Sequence, residues 1–98
     1  MSINSQQFGA QQYDNVDATG NWTITVVGTY ACGNVVQPFN LSSATMGAGR
    51  WVLVRANAVT GWVGATVAPP TGLTAYSVSL EDVNYSGTTY KCVVVTLV

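Results

Sequence analysis

Few residues in this chain are equipped for chemistry. Histidine is absent, so the commonest general base and metal ligand is missing. The acidic residues are Asp14, Asp17, Glu81 and Asp82, and the basic ones are Arg50, Arg55 and Lys91. A carboxylate pair for hydrolysis would have to be Asp14 with Asp17, in a polar leader, or Glu81 with Asp82, in a segment that reads as a turn, where acidic residues are ordinary. Lys91 is the sole amine that could activate one of the many serines and threonines, and it falls within the last strand. The sequence therefore predicts no catalytic residue and no cofactor. Cys32 and Cys92 are too few, without histidine, for a zinc site. In an oxidising compartment they could close one disulfide; otherwise Cys92, inside a valine-rich strand, is a small core hydrophobe.

The composition excludes further classes. The chain has 98 residues, 48% of them hydrophobic and 7% charged, with a formal net charge of -1. One domain fits that length, and the hydrophobicity argues against disorder. Three dispersed cations cannot neutralise a phosphate backbone, so no nucleic-acid partner is expected. The run Cys92-Val93-Val94-Val95 is too short to cross a bilayer, and Met1–Gln7 shows neither a basic nor an apolar signal region. No membrane association and cytoplasmic synthesis follow as expectations. Charge of about 25% is usual, so the surface must rely on twelve Thr, seven Ser and seven Asn, or on burial against other subunits.

Residues 1–20 read as a polar arm carrying Phe8 and Tyr13, and 21–98 as a β domain. From Trp22 onward Val, Thr, Tyr and Trp dominate, punctuated by Gly and Asn. Asn21–Tyr30 alternates with Trp22, Ile24 and Val26 on one face; Val35–Leu41 contains Pro38, which marks an edge strand or bulge. Arg50–Ala56 is apolar on both faces apart from its arginines, and Leu73–Leu80 should align Tyr76, Val78 and Leu80. Residues 81–87 read as the turn into a last strand from Thr88 to Val98. In that strand Tyr90, Cys92, Val94 and Val98 oppose Val93, Val95 and Leu97, and neither set is polar. No helical period is present. These features predict an all-β fold, a single antiparallel β-sandwich or barrel-like domain with an extended N-terminal arm. The second apolar face of the last strand should be covered by another copy, so Phe8, Tyr13, Val93, Val95 and Leu97 are the expected interface. Trp22 and Trp51 fit core positions, leaving Trp62, between Gly61 and Gly64, as the ring that a glycan could stack on. Sequons at Asn21, Asn40 and Asn84 are close to chance in so Asn-, Ser- and Thr-rich a chain.

Two resemblances bear on function. Tyr85-Ser86-Gly87-Thr88-Thr89-Tyr90-Lys91-Cys92, with Cys32 upstream and Trp51 between, resembles the Cys, Trp and Tyr-x-Cys pattern of immunoglobulin-like domains. Trp51 lies far from Cys32 and no closing strand follows Cys92, so that likeness implies an incomplete sandwich finished by a donated strand, as in a filament or pilus subunit. Ser5–Gln12 followed by Asp17-Ala18-Thr19-Gly20-Asn21-Trp22 resembles the opening of tailed-phage capsid decoration, or cement, proteins. It covers about the first third of the chain and implies a homotrimer on the virion surface, held by the major capsid protein. A carbohydrate-binding or adhesin module is the third reading.

Overall fold

A computed structural model describes residues 24–42 and 46–98, together with the backbone of residues 11–12. Its strands are β1 (Gln11–Gln12), β2 (Ile24–Ala31), β3 (Gln37–Asn40), β4 (Gly49–Thr60), β5 (Ala65–Ala68), β6 (Ala75–Tyr85) and β7 (Thr88–Leu97). Among the described residues there is no helix. The all-β class expected from the Val- and Thr-rich texture is present. In the main sheet β4 is flanked by β7 on one side and by β1 and β2 on the other, with β6 outside β7; β3 and β5 form a separate two-stranded sheet.

The pairing is mixed rather than antiparallel. β4–β7, β6–β7 and β1–β4 are antiparallel, but β2–β4 and β3–β5 are parallel. Parallel neighbours need a long crossover, which is usually a helix. Here strands supply it: the chain leaves β2, runs through β3 in the other sheet and returns as β4, while β4 itself lies between β3 and β5. The expected all-antiparallel arrangement fails because absence of a helical period excludes a helical crossover and not every crossover. Pro38 sits in β3, which pairs only with β5, so its missing N–H falls in an edge strand as expected.

A bulge in β4 decides what each face buries. Val52 pairs with Val94 and Val54 with Val93, so Leu53 is the extra residue. Trp51, Leu53, Val54 and Ala56 consequently belong to the principal core, while Val52 turns to the other face. Alternation along β7 does the same without a bulge: Val93, Val95 and Leu97 enter the principal core with Tyr30, Phe39 and Leu41, and Cys92 and Val94 join Val52, Val83 and Tyr85 in a second cluster. The β3–β5 sheet contributes Phe39, Ala65 and Val67 to the principal core. Both faces of β7 are thus buried within one chain.

Two further differences come from local geometry. Ser77 pairs with Thr96 and Ala75 with Leu97, leaving Tyr76 as a bulge residue that is exposed instead of aligned with Val78 and Leu80. Residues 81–85 continue β6, and the turn shrinks to Ser86-Gly87, with φ of 51° and 89° between the paired Tyr85 and Thr88. Two consecutive positive φ angles give the hairpin twist that matches right-handed strands. Asn84 Oδ1 accepts from Gly87 N–H at 3.0 Å and fixes the turn.

Candidate functional site

The sequence-predicted interface is not assembled as expected. Val93, Val95 and Leu97 are 0%, 0% and 1% exposed in the single chain, inside its own principal core. They offer no surface to a second copy, because the β3–β5 sheet and the partners of β4 already cover them. Phe8 and Tyr13 lie outside the described residues. Cys32 and Cys92 are both free thiols, buried in the two different clusters, so the disulfide is not formed and Cys92 acts as a small core hydrophobe. Burial pushes the Cys92 thiol up to about 11 and raises that of Cys32, so both stay protonated at neutral pH.

The second face of the sheet is closed by arginines and tyrosines that sequence reading treated as incidental. Arg50 of β4 pairs with Glu81 of β6 across the intervening β7, and Ser79 Oγ donates to the same Glu81 carboxylate at 2.9 Å. The Arg50 guanidinium holds the Glu81 carboxyl below the usual carboxylate range. Arg55 lies 4.6 Å from the ring centroid of Tyr85 and 5.1 Å from that of Tyr90, and the two rings meet edge to face at 5.6 Å. The long arginine side chains lie over the sheet, with the Arg55 Nε buried against it. Beneath them Val52 and Val94 are 0% and 2% exposed. Covering this face needs no second subunit.

At one end of the molecule two loops lie side by side, residues 32–37 and 60–65. Main-chain bonds tie them: Cys32 N–H to Thr60 O at 2.8 Å, Asn34 N–H to Gly61 O at 2.9 Å and Gln37 N–H to Gly64 O at 3.1 Å. Gly33 and Asn34 both take positive φ, and Val35 N–H closes the turn onto Cys32 O at 3.2 Å. Gly61 must be glycine, since a Cβ there would meet the backbone nitrogens of Gly33 and Asn34 at 2.8 Å. Beneath the loops sits Gln37, among the described residues the one polar side chain buried in the core. Its Oε1 accepts from Tyr30 O–H at 2.8 Å, and its Nε2 donates to Val35 O at 2.8 Å and Cys32 O at 3.3 Å. Burial pushes the Tyr30 phenol up to about 12, so it remains a donor. Every polar group of the amide is used, which makes the network an anchor for the loop.

What this anchored end presents is apolar. Val35, Val36 and Val63 are 58%, 48% and 54% exposed, bracketed by the bonds of Asn34 and Gln37 to Gly61 and Gly64. No charged residue occurs between Asp17 and Arg50 or between Arg55 and Glu81, so both loops are uncharged. Trp62 is half-buried and packs on the principal core. Sequence reading passed over Val35 and Val36 as part of an edge strand. The available signal was the Gly33-Asn34 turn just before them: residues between a turn and a short edge strand have no neighbouring strand to cover them.

Among the described residues the surface forms no pocket, and no group of three or more His, Cys, Asp or Glu side chains gathers as a metal site. No helix there is long and apolar enough to cross a membrane. No protein-family model, curated protein or solved structure matches the chain.

Proposed function

We propose that this chain is a non-enzymatic structural protein of a virion, a capsid decoration protein that attaches through the uncharged valine end formed by residues 32–37 and 60–65. The observation that carries this reading is the combination of three exposed valines with a loop scaffold rigidified from below by Gln37. Rigid presentation lowers the ordering cost of docking. Apolar contact gives about 25 cal/mol per Å² buried, so a modest patch repeated over a lattice adds stability without a reactive group. On this reading the partners are the major capsid protein and further copies of the chain, gathered as a homotrimer on the shell. Phe8 and Tyr13 of the polar N-terminal segment would extend the contact, and Val93, Val95 and Leu97 serve the fold instead. The two sheets are read as the unequal layers of a small sandwich.

Co-sedimentation with capsid shells tests the proposal. The shells are assembled from the major capsid protein encoded in the same genome, and the added chain should pellet with them at saturable stoichiometry. Val36→Asp, at a half-exposed loop position, should leave the fold intact and abolish pelleting. A genome without a capsid gene, or a chain that stays in the supernatant of intact shells, would refute the reading.

A further inference from the structure

We propose that the free edge of β6 is a pairing site for the β6 edge of a second copy, antiparallel and centred on Leu80. The register of the β6–β7 hairpin identifies the atoms. Tyr85 and Thr88 flank a two-residue turn, so they form a hydrogen-bonded pair, and such pairs recur at every second residue, Val83 with Tyr90, Glu81 with Cys92, Ser79 with Val94 and Ser77 with Thr96. Main-chain groups of Val78, Leu80, Asp82 and Asn84 therefore point away from β7. β6 is the last strand on that side of the sheet, and among the described residues no main-chain partner meets those four.

The edges at β3 and β2 are blunted. β3 is short and carries Pro38, and β2 is broken by a register shift at Val27 and Gly28, where Asn57 Oδ1 takes the Gly28 N–H at 2.9 Å. Residues 77–84 of β6 contain neither proline nor bulge. An antiparallel strand edge is complementary to itself about a two-fold axis. Centring on Leu80 pairs Val78 with Asp82 of the other copy and Ser79 with Glu81, overlapping residues 77–83. A centre at Glu81 or Asp82 sets two carboxylates directly opposite, and a centre at Ser79 or Val78 shortens the overlap. Charge and length thus select one register.

This inference does not rest on the capsid reading and is tested on the full chain alone, without shells. Sedimentation equilibrium should show a dimer forming as concentration rises. Amide exchange at Val78, Leu80 and Asp82 should slow by about tenfold or more between dilute and concentrated samples, with Ser79 and Glu81 unchanged. Asp82→Pro removes one outward N–H and no main-chain bond to β7, at the cost of the exposed Asp82–Lys91 ion pair, so it should hold the protein monomeric with an unchanged circular dichroism spectrum. Under mild oxidation Leu80→Cys should cross-link between copies and Asn84→Cys should not. A monomer at every concentration, or an oligomer whose Val78, Leu80 and Asp82 amides exchange as in the monomer, would overturn it. Should Asp82→Pro fail to fold, the wild-type exchange data decide alone.

Discussion

At the level of single residues, the buried amide of Gln37 is the most consequential polar group in the fold. Tyr30→Phe removes the donor to its Oε1 and leaves a buried acceptor unmet, a loss of about 1–3 kcal/mol. Urea unfolding should show that decrease with an unchanged m-value. Glu81 gives a pH prediction. Its carboxyl is more acidic folded than unfolded, owing chiefly to its hydrogen bond with Arg50. The pairing therefore stabilises the fold above the ordinary carboxylate range, and the contribution fades as pH falls through the lower folded value. The pair is partly exposed, with side chains 38% and 29% accessible, so the effect is small and screened by salt. Thermal melts of wild type and Glu81→Gln should diverge near neutral pH and converge in acid.

At the level of elements, strand texture was legible and register was not. Alternation located β2 and β6, because side chains on a pleated strand must answer to two different environments, and a run apolar on both faces located β7. The Leu53 and Tyr76 bulges escaped, since each inserts one residue and inverts every assignment beyond it. That is why Trp51–Val54 read as apolar on both faces when three of its four residues serve one core. The turn was misjudged for a related reason: Glu81 and Asp82 look like turn residues, yet each meets a cation from the next strands, Arg50 and Lys91. The short parallel β3–β5 pair had no signal at all in local pattern. Gly61→Ala tests how tightly the two loops are joined. The new methyl must displace backbone at a positive φ, and a loss of roughly 1–3 kcal/mol is expected in thermal or urea unfolding.

At the level of the whole molecule, the low charge that suggested a buried assembly has a more local meaning. Five charges fall on β4, β6 and β7, where they roof the second face or hold the hairpin, and the opposite loops carry none. Composition alone leads to the expectation of neither a catalytic set nor a nucleic-acid field, whereas the apolar end depended on which valines the fold left uncovered. Two substitutions separate fold from surface. Val95→Asp buries a carboxylate in the principal core and should abolish cooperative unfolding, while Val36→Asp should melt within a few degrees of wild type. The proposed attachment is tested most directly by hydrogen exchange on the chain free and bound to capsid shells. The account predicts new protection concentrated in residues 33–36 and 61–64, with the core of β7 unchanged. Protection elsewhere with those two loops exchanging freely would contradict it.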